Sequence, residues 1–319
     1  MTGRIDSHAR LDPEMAAAVA ESQRLVAELG PVAADDWLAS RAAYAHERAF
    51  WNAIKPELAS VENLNIPGPG GPLACRLYRP SRASPLPALV YFHGGGWVLG
   101  NLDTHDRIMR LLALKSGAAV IGVDYRLAPE HKFPAAWDDA LASVRHFVRE
   151  GSALGIDPRR LAVGGDSAGA NLSIAACLSL GPQERAAIKV QLLYYGAFGL
   201  RDSASARAFG NDADGLTRSA MDRYKEWLQR DPSDLADPRF DNLSADLRGL
   251  PPAFIAASAL DPLLDDSRSL AQLLTEAGVA NELVVYEGVL HGFLHYSRMV
   301  GKAMQALDAG AAALQRAFG

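Results

Sequence analysis

Residues 161–171 read LAVGGDSAGAN, a short apolar segment that leads through Gly165-Asp166-Ser167-Ala168-Gly169 into a segment typical of a helix. The pentapeptide has the form G-x-S-x-G, in which the serine stands at a sharp turn between a strand and a helix. Small residues at positions 165 and 169 let neighbouring chain segments approach the turn, which leaves the serine hydroxyl exposed above the sheet edge. An ordinary glycine-rich turn is the alternative for the pentapeptide taken alone. Ser167 is therefore a candidate nucleophile at the end of a strand.

Apolar runs and helical patterns alternate on both sides of this segment, from Pro85 to the C terminus. The runs are apolar nearly throughout, which is typical of strands buried on both faces. We therefore predict an α/β fold with a mostly parallel central sheet and helices on both faces. The predicted strands are 88–92, 119–124, 161–164, 190–195, 253–257 and 283–286, and PGPGGP at 67–72 predicts a turn between two further strands.

Two segments lack strand signals and are expected to lie outside the sheet. Residues 1–52 contain two helical patterns and are predicted to form an N-terminal helical cap on a main domain over 53–319. Residues from about 198 to 250 begin polar, continue as a helix and end in a Pro- and Asp-rich loop. This insertion is predicted to contribute to the same cap.

The composition excludes several classes of protein. With 319 residues, 49% hydrophobic, the chain is long and apolar enough for a substantial core, which excludes a disordered chain. A net charge of −5 leaves no basic surplus for nucleic acid or anionic lipid. The apolar runs are too short or too interrupted to cross a bilayer, and the charged N terminus does not resemble a secretory signal. We expect a cytoplasmic protein without stable membrane association, in which the two cysteines, Cys75 and Cys177, are small buried residues.

Three consecutive glycines follow the predicted strand 88–92, in the sequence His93-Gly94-Gly95-Gly96-Trp97. Their N–H groups are not obstructed by side chains and can hold an anion, and an HGGG sequence is the second half of the oxyanion hole in lipases and esterases. A dinucleotide-binding loop is the other reading, but the glycine spacing misses G-x-G-x-x-G by one position. No P-loop sequence is present either.

A serine nucleophile needs a base, and the base needs an orienting carboxylate. Among the eight histidines, His291 follows the last predicted strand and is the preferred base, with His295 as its nearest rival. Asp261 follows the strand 253–257, whereas Asp265 and Asp266 are expected in the first turn of the next helix. The chain order serine, aspartate, histidine is that of α/β-hydrolases.

Five motifs in this order, HGGGW, VDYRLAPE at 123–130, GDSAGAN, DPLLDD at 261–266 and HGF at 291–293, resemble those of the bacterial hormone-sensitive-lipase-like carboxylesterases. The resemblance implies an α/β-hydrolase fold with an N-terminal helical cap. It also implies a catalytic triad of Ser167, Asp261 and His291. The implied oxyanion donors are the amides of Gly95, Gly96 and Ala168, in a loop that also contains His93 and Gly94. The sequence departs from many relatives at YYGAF (194–198), where they have a Tyr-Pro pair.

We therefore expect a serine carboxylesterase that hydrolyses uncharged small-molecule esters with short to medium acyl chains, without a cofactor or metal. Four residues beside the catalytic positions are candidate walls of the substrate pocket, with core packing as the alternative: Trp97, Leu263, Phe293 and Leu294. An amidase or peptidase with the same triad, and a non-catalytic relative that binds a small ligand, remain alternatives. A homodimer is possible, since dimers are common in the family that the sequence resembles.

Overall fold

A single sheet of eight strands forms the centre of the part of the chain that the structure describes. The structure is a computed structural model and describes residues 6–33, 35–199, 201–210 and 216–319. The strand order is β1-β2-β4-β3-β5-β6-β7-β8. The strands are β1 (Ser60–Gly68), β2 (Gly71–Arg79), β3 (Leu86–Phe92), β4 (Ala119–Val123), β5 (Ile156–Asp166), β6 (Ile188–Tyr194), β7 (Ala253–Leu260) and β8 (Asn281–Leu290).

The sheet is antiparallel at one edge and parallel elsewhere. Strand β2 runs antiparallel to both β1 and β4, whereas β4, β3, β5, β6, β7 and β8 are mutually parallel. The predicted turn at 67–72 joins β1 to β2, whose pairing continues to Gly68 and Gly71. Parallel strands place their carboxyl ends at a common edge, so every loop that follows one of them begins on the same side of the molecule.

Helices cover both faces of the sheet, which confirms the predicted architecture. Successive residues of β3 alternate between two apolar clusters: Val90 belongs to the one that includes Trp137 and Leu172, and Tyr91 to the one that includes Leu112 and Leu307. This alternation explains why the strand sequences are apolar throughout. The helices are α1 (Pro13–Ala27), α2 (Trp37–Asn52), α3 (Asp106–Ser116), α4 (Ala135–Glu150), α5 (Ala168–Ser179), α6 (Pro182–Arg185), α7 (Ala204–Ala208), α8 (Arg218–Leu228), α9 (Leu264–Glu276) and α10 (Gly301–Phe318).

Strands β5 and β8 extend four or more residues beyond one end of their predicted apolar runs. Strand β5 begins at Ile156, five residues before the predicted start, because Ile156 pairs with Leu86 of β3 ahead of a register shift. Strand β8 continues to Leu290, which pairs with Leu260 of β7. In both cases the neighbouring strand supplies the hydrogen bonds, and the local sequence alone carries no record of them.

Helices α1 and α2 occupy the predicted N-terminal cap segment, and α7 and α8 lie within the 198–250 insertion. Parts of both predicted segments, residues 1–5, 34, 200 and 211–215, lie outside the described residues. Among the described helices, none has the length and apolar character needed to span a bilayer.

The turn around Ser167 depends on two close backbone contacts. A Cβ atom at Gly169 would lie 1.9 Å from the carbonyl oxygen of Phe92, and one at Gly165 would lie 2.3 Å from the same oxygen. Helix α5 therefore approaches the end of β3 more closely than any side chain would permit. Gly165 and Gly169 are required by this contact rather than by loop flexibility.

We expect Gly169→Ala to lower the free energy of unfolding by about 3 kcal/mol, because the added methyl must displace the β3 backbone. Denaturant unfolding followed by circular dichroism measures the loss. Gly278→Ala is the matched control: Gly278 has φ +73° but open space around its Cβ position, so only backbone strain of about 1 kcal/mol is expected. Equal losses in the two variants would contradict the steric explanation.

Candidate active site

Three polar side chains follow directly from the carboxyl ends of three parallel strands. Ser167 follows β5, Asp261 follows β7 and His291 follows β8. Because Leu260 and Leu290 are paired in the sheet, Asp261 and His291 leave it side by side. The topology thus brings together residues that are separated by 30 and 124 positions along the chain.

Hydrogen bonds join the three side chains in a row. The Nδ1 atom of His291 lies 2.8 Å from Oδ2 of Asp261, and its Nε2 atom lies 2.9 Å from Oγ of Ser167. A carboxylate only accepts, so Nδ1 carries the proton and Nε2 accepts from the serine hydroxyl. The second oxygen of Asp261 accepts from the N–H of Leu263 at 2.8 Å, and Asp261 is 1% exposed. The imidazole is therefore held in the orientation that a general base for Ser167 requires.

Ser167 has a backbone conformation that residues other than glycine rarely adopt, with φ +53° and ψ −117°. Backbone hydrogen bonds to the end of β6 and to the loop that follows it hold Ser167 in this conformation. Its N–H donates to the carbonyl of Tyr194 at 2.9 Å, and its carbonyl accepts from the N–H of Ala197 at 3.3 Å. Helix α5 begins at the next residue, so its positive N-terminal end faces the serine.

The glycine loop after β3 lies beside this turn. Gly95 and Gly96 have φ +122° and +61°, and a Cβ at Gly95 would lie 2.3 Å from the carbonyl oxygen of Leu99. Within the described part of the chain, the N–H groups of Gly95, Gly96 and Ala168 donate to no protein acceptor. All three residues line the cavity that also contains Ser167 and His291.

Asp166, the residue before the serine, ties the glycine loop to the turn. Its Oδ1 accepts from the N–H of Gly94 at 3.0 Å and from the hydroxyl of Tyr91 at 2.8 Å. Burial alone raises the pKa of Asp166, but nearby His105 and the Tyr91 hydrogen bond outweigh it and hold that pKa below its usual value. The ionised carboxylate thus fixes the position of the glycine loop relative to Ser167.

His93 is part of the support of the glycine loop. Its Nδ1 lies 2.9 Å from the carbonyl oxygen of Gly94, and its ring stacks on Tyr125 with the centroids 4.3 Å apart. Burial, reinforced by His105, lowers the pKa of His93 to about 3, so the ring is uncharged at neutral pH.

Among the residues that the structure describes, one group has side chains of metal-ligand type in proximity: His105, Asp166 and His295, with ligand atoms within 4.8 Å of one another. Each has protein partners. Asp166 accepts the bonds described above, His105 Nδ1 lies 2.8 Å from Oγ1 of Thr104, and His295 Nε2 lies 3.4 Å from the hydroxyl of Tyr44. These contacts tie the group to Thr104, to Tyr44 and to the glycine loop. His295, the rival base, is therefore paired with Tyr44 rather than with Ser167.

A cavity of about 890 Å³ opens above Ser167. Of the four residues predicted as its walls, Trp97 and Leu263 line it. The structure places Phe293 and Leu294 elsewhere, because both are fully buried in the core and neither lines the cavity. The chain enters a 3₁₀ helix at Phe293, which turns that ring inward against Tyr195 and Tyr286.

Sequence reasoning missed most of the cavity wall. Helices α1, α2 and α8 supply much of it, and Tyr195, which follows β6 directly, supplies part of the rest. A position just past the end of a parallel strand was the one available signal for Tyr195. The helical residues offered none, because their amphipathic faces are equally consistent with ordinary core packing. They include Met15, Val19, Tyr44, Arg48, Met221 and Tyr224.

The sequence and the structure of the chain are similar to those of known hydrolases. Residues 89–295 match the family model for the alpha/beta hydrolase fold. The chain is 42% identical over 306 residues to an acetyl esterase from Salmonella paratyphi B, covering 95% of this chain and 93% of the relative. The solved hyperthermophilic esterase from Pyrobaculum calidifontis is 36% identical with a TM-score of 0.91, covering 96% of this chain and 98% of that one. An ester-hydrolase from the metagenome of Lake Arreo, in complex with a derivative of bipyridine phosphonate, is 38% identical with a TM-score of 0.90, covering 97% and 99%.

The chain belongs to the α/β-hydrolase family, in its hormone-sensitive-lipase-like group. It is a carboxylic ester hydrolase, which confirms the prediction made from its motifs.

The role of Asp166 can be tested with two substitutions. Asp166→Ala leaves the Tyr91 hydroxyl without its acceptor and the Gly94 N–H with only the 3.2 Å contact to Nε2 of His105, so we expect the free energy of unfolding to fall by about 2 kcal/mol. We also expect kcat for ester hydrolysis to fall about tenfold or more, because the glycine loop loses its anchor.

Asp166→Asn keeps an oxygen acceptor and is expected to recover most of both losses. Chemical denaturation and steady-state kinetics on a p-nitrophenyl ester measure the two quantities. If the asparagine variant were as impaired as the alanine variant, the hydrogen bonds to Oδ1 would not be what holds the loop.

Proposed function

We propose that the protein hydrolyses carboxylic esters with Ser167 as nucleophile, His291 as general base and Asp261 as the residue that orients the base. The observation that carries the proposal is the unbroken row of hydrogen bonds, 2.8 Å from Asp261 to His291 and 2.9 Å from His291 to Ser167. A serine hydroxyl is a weak nucleophile at neutral pH, and a base already within hydrogen-bond distance removes this obstacle.

In the first half of the reaction, His291 Nε2 takes the Ser167 proton as Oγ attacks the ester carbonyl. The resulting imidazolium then donates that proton to the oxygen of the leaving alcohol, and an acyl-enzyme remains. In the second half, water replaces the serine as nucleophile and the same histidine moves its proton. The carboxylate of Asp261 stabilises the imidazolium and holds the productive tautomer.

The carbonyl oxygen becomes negatively charged in each tetrahedral intermediate and needs hydrogen-bond donors. The proposed donors are the N–H groups of Gly95, Gly96 and Ala168. They are supported by their shared cavity, by their lack of acceptors within the described residues and by the helix end at Ala168. Each such donor contributes about 3 kcal/mol of transition-state stabilisation in comparable enzymes.

The segments 1–52 and 198–250 are proposed to act together as a cap over this site. Helices α1 and α2 from the first segment and α8 from the second line the same cavity as Ser167. Trp97 and Leu263 are proposed as apolar walls for the substrate. A covered cavity of about 890 Å³ favours short to medium acyl chains over long ones.

We expect Ser167→Ala to lower kcat/KM for p-nitrophenyl butyrate about 10⁴-fold or more, because no other hydroxyl is in hydrogen-bond contact with His291 within the described structure. Stopped-time product assays with concentrated enzyme give the residual rate. Retention of more than a few per cent of the wild-type rate would refute the assignment.

Ser179→Ala is the matched control. Ser179 belongs to the same helix, α5, but its hydroxyl donates to the carbonyl of Ala175 and it does not line the cavity. Wild-type kinetics are expected for this variant.

Mass-spectrometric mapping after treatment with a serine-directed organophosphate should place the label on Ser167, and a label on another serine would contradict the proposal independently of the kinetics.

A preference for short acyl chains is predicted from the size of the cavity. We expect kcat/KM for p-nitrophenyl butyrate to exceed that for p-nitrophenyl palmitate by roughly tenfold or more, since the longer acyl chain must lose more conformational freedom to fit beneath the proposed cap. A panel of esters with increasing acyl length, each assayed below its aggregation limit, measures the preference. Faster turnover of the palmitate would overturn the proposed cap.

A further inference from the structure

The insertion between β6 and β7 is hydrogen-bonded to the turn that follows Asp261. Ser205 of the short helix α7 is 5% exposed, and its hydroxyl oxygen lies 3.0 Å from the carbonyl oxygen of Pro262 and 3.0 Å from the backbone nitrogen of Asp265. The N–H of Ser205 donates to Oδ2 of Asp265 at 2.8 Å. These hydrogen bonds of Ser205 with Pro262 and Asp265 are called the α7 contact below.

The donor and acceptor roles of the Ser205 hydroxyl follow from its partners. A serine hydroxyl has one proton and two lone pairs. The Pro262 carbonyl only accepts, so it takes the proton, whereas the Asp265 N–H and the Ser203 hydroxyl, 3.1 Å away, donate to the Ser205 oxygen. The hydroxyl thus uses its whole hydrogen-bonding capacity, as expected of a buried polar group with a fixed position.

The turn at Pro262 orients the Asp261 carboxylate. Oδ1 of Asp261 accepts from the N–H of Leu263 at 2.8 Å, while Oδ2 faces Nδ1 of His291 at 2.8 Å. The Pro262 carbonyl and the Leu263 N–H belong to the same peptide unit. Because a peptide unit is planar, a hydrogen bond to its oxygen also restricts the direction of its N–H. The Ser205 hydroxyl therefore holds the group that holds the carboxylate.

The first residues of the insertion are held by the neighbouring carboxylate. Oδ2 of Asp266 accepts from the N–H groups of Phe198 and Gly199 at 2.9 and 3.3 Å. The N–H of Ala197, the residue before Phe198, donates to the carbonyl of Ser167 at 3.3 Å. The insertion is thus bonded beside the nucleophile at its start and, through the α7 contact, beside the turn of Asp261.

The Asp265 carboxylate in the α7 contact is ionised. Burial alone raises the pKa of Asp265, but the N–H of Ser205 and the guanidinium of Arg268 outweigh it and hold that pKa below its usual value. Hydrogen bonds to a charged acceptor are stronger than those between neutral groups. This bond keeps α7 beside the first turn of α9, where the Ser205 hydroxyl reaches Pro262.

We propose that Ser205 is a positioning residue for the proposed function, on which this inference rests: its hydroxyl fixes the peptide unit of Pro262 and Leu263. That peptide unit in turn holds the Asp261 carboxylate in line with His291. Ser205 does not line the cavity, so it contacts no substrate and acts only through the turn. The insertion, whose helix α8 supplies part of the cavity wall, therefore also contributes to the geometry of the triad.

The test is Ser205→Ala, which removes the hydroxyl and leaves the backbone bond to Asp265. Without its donor the peptide unit can rotate, and the Asp261 carboxylate loses its alignment with the imidazole. We expect kcat for p-nitrophenyl butyrate to fall about tenfold, because a small misplacement of a catalytic group is costly. KM is expected to change little, since Ser205 lies outside the cavity wall.

Proton NMR provides a second measurement, which a general loss of stability would not move. The His291 Nδ1 proton, bonded to a carboxylate, is expected to give a resonance far downfield, which is assigned by its absence from His291→Asn. In Ser205→Ala we expect this resonance to move upfield or to broaden beyond detection. Ser205→Cys keeps nearly the same side-chain volume but has a weak donor, so it preserves the packing of α7 and is also expected to lower kcat.

Thr217→Ala is the matched control. The Thr217 hydroxyl also serves the insertion, where it accepts from the N–H of Ala220 at the start of α8 and meets the hydroxyl of Ser219 at 3.0 Å. Both Thr217→Ala and Ser205→Ala are expected to lower the thermal midpoint by a few degrees. Only the substitutions at Ser205 are expected to lower kcat and to change the His291 resonance.

The inference is overturned if Ser205→Ala or Ser205→Cys keeps the wild-type kcat and the wild-type resonance, or if Thr217→Ala loses as much kcat as they do. Those results leave the proposed function intact, because hydrolysis would still depend on Ser167. A wild-type rate in Ser167→Ala would instead count against the proposed function, whatever the substitutions at Ser205 do.

Discussion

The site depends on a steric constraint: the backbone of α5 must approach the end of β3 without an intervening side chain. The contact of Gly165 and Gly169 with the Phe92 carbonyl allows the chain to reverse within one residue, and that residue is Ser167 in a left-handed conformation. The reversal exposes the hydroxyl above the sheet edge and directs the N-terminal end of the helix toward it. A serine on a relaxed turn would present neither feature.

The same constraint places the glycine loop, because Phe92 ends β3 and the loop follows at once. Asp166 completes the arrangement by accepting the N–H of Gly94, so the turn at Ser167 and the glycine loop are held together. Their relative position is set by backbone contacts and by a buried carboxylate, which are stiffer than contacts between flexible side chains. Such preorganisation is what an oxyanion site requires, since donors that had to reorient during the reaction would lose most of their effect.

The motifs at strand ends could be predicted because each is local. G-x-S-x-G, HGGG, the aspartate before Pro262 and the histidine after β8 each follow an apolar run, and the parallel topology then determines that they share an edge. The walls of the cavity were predicted less well. Trp97 and Leu263 line it, whereas Phe293 and Leu294 lie in the core, because adjacency in sequence to a catalytic position does not fix the direction of a side chain. The contributions of Tyr44 and Arg48 depend on how α2 lies over the sheet, which no local pattern records.

The class of fold, the order of the candidate functional residues and the chemistry available to them follow from the sequence, because strand periodicity, glycine requirements and residue type are local properties. Which side chains face the cavity depends on tertiary packing. Packing between distant segments joins His291, and not His295, to Ser167, turns Phe293 inward and brings Tyr44 and Arg48 of α2 to the cavity. These are consequences of how distant segments pack, and the free energy that selects such packing is distributed over the whole core rather than encoded at any one position.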